Sequence, residues 1–150
     1  LPSRLLVITD RHQARHPIEV IAEAVGSAGG HWLCLRDKDL EPEARARLAA
    51  RVAQIARRSG MHLSISGAVD LAADLGASVH LPGIAPAEVA PILDEVRRRL
   101  GPAALIGISA HSHADVAAAA AARADYVTLS PIFLTQSKPG YGPALGVAAI

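Results

Sequence analysis

The chain has one cysteine, one phenylalanine, one tryptophan and two tyrosines among its 150 residues. A single cysteine, Cys34, permits no intrachain disulfide and no cysteine-cluster zinc site. Aromatics at 3% leave no stacking platform for single-stranded bases. Charge of one sign is missing too. Fifteen Lys+Arg against 14 Asp+Glu leave +1, which argues against a polybasic nucleic-acid binder or an acidic tail. The longest uninterrupted apolar stretch, Val116 to Ala122, is far shorter than the roughly 20 residues of a membrane-spanning helix. Leu1-Pro2-Ser3-Arg4 lacks the charged, apolar and small-residue regions of a secretory signal. Neither nucleic acid nor membrane is expected as a partner, and the expected location is cytoplasmic.

What is present is a core. Hydrophobic residues make up 51% of the chain, many of them alanine, enough for one packed domain over residues 1–150. Short apolar runs recur at Leu5 to Thr9, Trp32 to Arg36, His62 to Ser66, Ser78 to Leu81, Leu105 to Ser109 and Tyr126 to Ser130. They do not alternate strictly, which predicts parallel strands buried on both faces. Amphipathic stretches lie between them. Leu48, Val52 and Ile55 stand at helical spacing, with Arg45, Arg47, Arg51, Arg57 and Arg58 mostly available for the wet side. Pro42 suits a first helical turn after Asp39 or Glu41, and Gly60 suits the stop. Ser112-His113-Ala114-Asp115 reads as a capped helix start. Six strand–helix units in a row predict right-handed crossovers and a parallel sheet, either doubly wound or part of a (β/α) barrel. A closed barrel of this kind needs roughly 200 to 250 residues, so 150 is short.

In either architecture ligands bind beyond the carboxyl ends of the strands. Those ends carry Thr9-Asp10-Arg11, Arg36-Asp37-Lys38, Ser66-Gly67, Pro82-Gly83, Ser109-Ala110-His111 and Ser130-Pro131 leading to Thr135, Ser137 and Lys138. This polar rim suits an anionic ligand. Arg36 and Lys38, two residues apart, point the same way in an extended loop start and make a phosphate clamp, or else pair with Asp37, Asp39 or Glu41. His111 follows the fifth strand, where an imidazole can shuttle a proton near pH 7. His80, inside a strand, reads as a hydrogen-bonded structural residue, and Cys34 as core. His12, His16, His31 and His62 show no metal-ligand spacing with carboxylates, so no metal site is expected. The loop Ser130 to Pro143 is long for its type and combines hydroxyls, a lysine and glycines, the ingredients of an anion-binding flap.

Together these residues resemble the thiamine phosphate synthase and TenI superfamily. The resemblance runs through Ile8-Thr9-Asp10, Leu35-Arg36-Asp37-Lys38, Val69-Asp70-Leu71-Ala72, Val79-His80-Leu81, Gly107-Ile108-Ser109-Ala110-His111-Ser112, Ala124-Asp125-Tyr126-Val127 and Ser130-Pro131-Ile132-Phe133-Leu134-Thr135-Gln136-Ser137-Lys138-Pro139-Gly140. It implies an α/β fold of the (β/α)8 barrel family, of which this chain covers about six units and lacks the last two. It implies phosphate contacts from Arg36, Lys38, Thr135, Ser137 and Lys138, with Ser66 and Ser109 as further substrate-binding residues. In the synthases it also implies a magnesium ion held by two aspartates. This sequence has Ser66-Gly67-Ala68 in place of the first aspartate's run, and Leu81-Pro82-Gly83-Ile84-Ala85 in place of the second's.

The TenI branch shares those features. Its resemblance implies a thiazole tautomerase, an isomerase acting on a carboxylated thiazole phosphate without a metal or other cofactor, with His111 as the catalytic proton shuttle. That reaction is the expectation here. One alternative is a divergent thiamine phosphate synthase, a transferase joining hydroxymethylpyrimidine diphosphate to thiazole phosphate, with Mg2+. Another is a non-catalytic module binding thiazole or thiamine phosphate. A small-molecule thiamine precursor is the expected partner, and a homo-oligomer is possible.

Overall fold

The computed structural model describes residues 1–134 and 143–150. Six parallel strands stand side by side in sequence order: β1 (Val7–Ile8), β2 (Trp32–Leu35), β3 (His62–Ser66), β4 (Ser78–Leu81), β5 (Ile106–Ala110) and β6 (Tyr126–Leu129). Five helices connect them: α1 (Ile18–Ser27), α2 (Pro42–Arg58), α3 (Val69–Leu75), α4 (Val89–Leu100) and α5 (His113–Ala121). Among the described residues no helix is long and apolar enough to cross a membrane.

The sheet curls. Neighbouring strands lie about 4.8 Å apart, so β2 and β6, four places apart, would be roughly 19 Å from each other in a flat sheet. The rings of Trp32 on β2 and Tyr126 on β6 instead meet edge-on with centroids 4.8 Å apart. The six units therefore form a half-barrel with an inner, concave face and an outer, convex one.

Strand register sorts side chains between those faces. The pairings Leu33↔Leu63, Leu35↔Ile65, Ile65↔Val79, Val79↔Ile106 and Leu81↔Ile108 put an unbroken apolar layer on the convex side. Helices cover it with Ile18 and Ala22 of α1, Leu48, Val52 and Ile55 of α2, Val89, Leu93 and Val96 of α4, and Ala119 of α5. The opposite parity, Cys34↔Ser64, Ser64↔Ser78, Ser66↔His80, His80↔Gly107 and Ser109↔Thr128, fills the concave side with small and polar groups.

The helix boundaries follow the punctuation. Pro42 opens α2, and Gly60 follows its end at φ +64°. In α5 the Ser112 hydroxyl accepts the Asp115 N–H, and the Asp115 carboxylate accepts the His111 N–H at 2.8 Å. Ser112→Ala should therefore cost about 1 kcal/mol, read as a lowered urea-unfolding midpoint.

Three local expectations are corrected. The first apolar run yields only two strand residues, because β1 is an edge strand with β2 as its single neighbour and Leu5 is exposed. The helix expected of the sixth strand–helix unit is not found at Gly146 to Ile150, which hold one 3-10 turn, Val147–Ala149. Arg45 does not lie on the wet side of α2: its guanidinium turns inward and donates to the Ser66 carbonyl. Burial lowers its pKa.

Candidate active site

At the carboxyl ends of the strands the concave face opens into a cavity of about 430 Å3. Register explains its lining. Cys34 and Arg36 extend the inward parity of β2, Ser66 that of β3, His80 and Pro82 that of β4, Ser109 and His111 that of β5, and Thr128 and Ser130 that of β6. Lys38 joins them at the rim, and Leu6 and Ile8 close the β1 side. Five predicted residues, Arg36, Lys38, Ser66, Ser109 and His111, thus line one space. The other three, Thr135, Ser137 and Lys138, lie outside the described residues.

Arg36 is held from two sides. Its backbone N–H donates to the Thr9 hydroxyl at 3.0 Å, and that hydroxyl donates to the buried Asp37 carboxylate at 2.6 Å. Its guanidinium donates to Asp10 at 2.6 Å. For Arg36, the alternative of an ion pair with Asp37, Asp39 or Glu41 is replaced by one with Asp10, 26 positions upstream in the chain. Asp39 instead serves Arg11 and His12, and these donors hold its carboxyl well below the usual range.

His111 is fixed by the helix cap below it and by its own ring. Nδ1 lies 2.8 Å from the Ser130 carbonyl, which can only accept, so Nδ1 carries the hydrogen. In the neutral ring Nε2 is then the acceptor. That edge of the ring lies against Gly83, where an added Cβ would come within 3.2 Å of Nε2. Glycine at 83 gives the imidazole its place.

The floor is a half-buried polar array that spacing alone does not reveal. His80 Nε2 lies 3.1 Å from the Ser109 hydroxyl and 3.3 Å from that of Thr128, and Nδ1 lies 3.1 Å from the Tyr126 hydroxyl. Burial, with a smaller push from Lys38, lowers the His80 pKa to about 4, so the ring is neutral at physiological pH. His80 has the hydrogen-bonded role expected of it and also faces the cavity. Cys34, likewise facing it, is buried and its thiol is pushed up to about 11, which leaves it protonated and a poor nucleophile.

The residues present do not fit a carboxylate-held magnesium ion. Among the described residues, no carboxylate lines the 430 Å3 cavity. The nearest acids are engaged elsewhere: Asp10 by Arg36 and Gln13, Asp37 by Thr9 and the Arg11 N–H, Asp39 by Arg11 and His12. Asp70 pairs with Arg99 on the surface. Among the described residues no group of three or more His, Cys, Asp or Glu could hold a metal ion. Magnesium usually requires one or two carboxylates.

Comparison with known proteins gives a consistent answer. A family profile described as thiamine monophosphate synthase matches residues 5–150. A putative thiamine-phosphate synthase of Geobacter sulfurreducens is 39% identical over 148 residues, covering 95% of this chain and 66% of the relative. A thiamine-phosphate synthase of Roseiflexus castenholzii is 33% identical over 146 residues, covering 96% and 62%. The chain thus spans just under two thirds of the length of these relatives. Among solved structures, a thiamine phosphate pyrophosphorylase from Pyrococcus furiosus superposes with a TM-score of 0.74 at 21% identity, covering 96% of this chain and 65% of that one, a likeness of fold.

Proposed function

The chain belongs to the thiamine monophosphate synthase family, and from that premise we propose that it acts in thiamine biosynthesis, seating a phosphorylated thiazole in the rim cavity. The observation that carries this reading is the convergence of Arg36, Lys38 and His111 on one hydroxyl-lined space at the carboxyl ends of parallel strands. Lys38 brings a point charge to this space, and Arg36, whose guanidinium also donates to Asp10, offers a planar fork. Ser66, Ser109, Thr128 and Ser130 supply hydrogen bonds around it.

Of the reactions open to such a site, the one for which the relatives are named comes first. It joins hydroxymethylpyrimidine diphosphate to thiazole phosphate and releases pyrophosphate. A transferase of this kind needs positive charge on the departing diphosphate, and here that charge is on side chains. The second reading is the tautomerisation of a carboxylated thiazole phosphate. The absence of carboxylates among the described lining residues favours it, as does the fixed tautomer of His111. Nε2 would accept a proton from one ring carbon and return it to another, with no net change in protons.

Two assays on the same preparation decide. Thiamine phosphate formed from the two phosphorylated precursors, with the rate reduced tenfold or more by Arg36→Ala, supports the synthase. Isomerisation of the carboxylated thiazole phosphate without coupling, falling about a hundredfold in His111→Ala, makes the second reading the function. If neither substrate turns over, the enzymatic proposal fails.

A further inference from the structure

The hydrogen bonds beneath the cavity run in one direction. They begin at a group that can only donate, the indole N–H of Trp32 on β2, which donates to the Ser64 hydroxyl on β3 at 3.0 Å. Ser64 is fully buried, and its hydroxyl is hydrogen-bonded in turn to the Tyr126 oxygen on β6. With the indole hydrogen resting on Ser64, the serine's own hydrogen has the tyrosine oxygen as its acceptor. The reverse order would leave that buried hydrogen unpaired, at a cost comparable to a lost hydrogen bond. Tyr126, kept protonated by its burial, then gives its hydrogen to Nδ1 of His80 on β4, 3.1 Å away. The His80 ring is neutral, so its single hydrogen sits on Nε2. That N–H meets the Ser109 hydroxyl of β5 at 3.1 Å and the Thr128 hydroxyl of β6 at 3.3 Å. Each hydroxyl accepts there and keeps its own hydrogen to give. Among the described residues neither hydroxyl has a second partner, and both line the 430 Å3 cavity.

We infer that Tyr126 sets the tautomer of His80, so that Ser109 and Thr128 meet the ligand as hydrogen-bond donors and the floor selects an acceptor atom with no hydrogen of its own. A carboxylate oxygen or a bare ring nitrogen has that chemistry. The inference rests on the reading of this cavity as the substrate site and adds what its floor recognises. Tyr126 and His80 are positioning residues that act through the two hydroxyls. With the hydrogen on Nδ1 instead, Nε2 of His80 would consume a hydroxyl hydrogen, and the floor would offer a lone pair where the ligand's acceptor must sit. The two cavity histidines are thereby held in opposite tautomers, His111 with its hydrogen on Nδ1 and His80 with its hydrogen on Nε2.

The test is long-range proton–nitrogen NMR of the histidine rings at pH 7, with the His80 signals assigned by their loss in His80→Gln. The expected spectrum of the parent has His80 neutral, Nε2 protonated and Nδ1 bare. Tyr126→Phe keeps the ring that packs on Trp32 and His80 but removes the hydroxyl. In that variant the form protonated on Nδ1 should appear beside the other, a change that a merely packing role for Tyr126 would not produce. Calorimetry with the carboxylated thiazole phosphate as probe reads the consequence. Tyr126→Phe should weaken its binding about fivefold in the parent, the size of one neutral hydrogen bond. The same change should cost less than about twofold where Ser109→Ala and Thr128→Val are already present, since it acts through those hydroxyls. Hydrogen on Nδ1 of His80 in the parent, an unchanged tautomer in Tyr126→Phe, or equal losses in the two backgrounds overturns the inference. The parent spectrum refutes it even if a variant fails to fold. The two proposals fail separately. A thiazole phosphate that does not bind sinks the functional reading, while the ring nitrogens still decide the order of hydrogens. Turnover of thiamine precursors with His80 in the opposite tautomer sinks only this one.

Discussion

Gly107→Ala is expected to destabilise the fold by about 3 kcal/mol, at the upper end of what overpacking costs. Gly107 sits on β5 directly opposite Tyr126 on β6, on the concave side. A Cβ there would fall 2.0 Å from Cζ of the tyrosine ring and within 2.5 Å of two more ring carbons. No real contact is that short, so the ring must move. It has nowhere simple to go. Trp32 meets it edge-on, His80 stacks on it with centroids 5.4 Å apart, and its hydroxyl lies 3.1 Å from His80 Nδ1. Urea unfolding measures the cost, and a second variant assigns it. In a Tyr126→Leu background the same alanine should cost at least about 2 kcal/mol less, because neighbouring substitutions that relieve one clash do not add. A loss under about 1 kcal/mol in the parent, or full additivity in the pair, would contradict the packing described.

The second large effect is on acid stability. Folded His80 has a pKa near 4, and an unfolded histidine one near 6.5. Between these values the unfolded chain binds the extra proton and the folded one does not. Stability therefore falls as pH falls through that window, and this group adds nothing further below pH 4. The shift, discounted for the ring's partial exposure, corresponds to about 2 kcal/mol lost between pH 7 and pH 4. His62, lowered by its own burial, acts in the same direction. Asp10 and Asp39, held low by their donors, take protons in the unfolded state only around and below pH 4, so their contribution lies in a separate range. Urea midpoints at pH 7, 5.5 and 4 should show the decline in the parent and a clearly shallower one in His80→Gln, which cannot titrate. Parallel declines in the two proteins would remove His80 as the cause.

Much of this architecture is legible in the sequence because it depends on local signals. Four of the six apolar runs begin where the strands begin, and Pro42, Gly60 and Ser112 mark real helix ends. The placing of Arg36, Lys38, Ser66, Ser109 and His111 together is legible for the same reason, since parallel strands deliver their carboxyl ends to one rim. What could not be read depends on contacts between distant residues. Nothing near Arg36 in the chain announces Asp10, and nothing near Arg45 announces the Ser66 carbonyl. The two faces of His80 appear only once β3, β4 and β5 are in register, when its parity with Ser66 and Gly107 puts it over the cavity. The two-residue β1 escapes a hydropathy reading because an edge strand can be as apolar as a central one.

The division of the sheet by parity bears on how such a protein can change over evolutionary time. On every strand after β1, odd and even positions belong to different tasks: one set is sealed under helices, the other looks into the hollow. The first set is bound to its neighbours through a continuous apolar layer, and substitutions there are judged by whether the chain folds. Many positions in the second set carry only a serine or threonine, and such sites can be exchanged with little disturbance of that layer. A lineage could therefore rewrite what the hollow recognises, residue by alternate residue, while the scaffold is inherited intact. The exceptions are the positions where the inner face packs on itself, Trp32, His80, Gly107 and Tyr126. At those four, a new specificity and a stable fold must be found together.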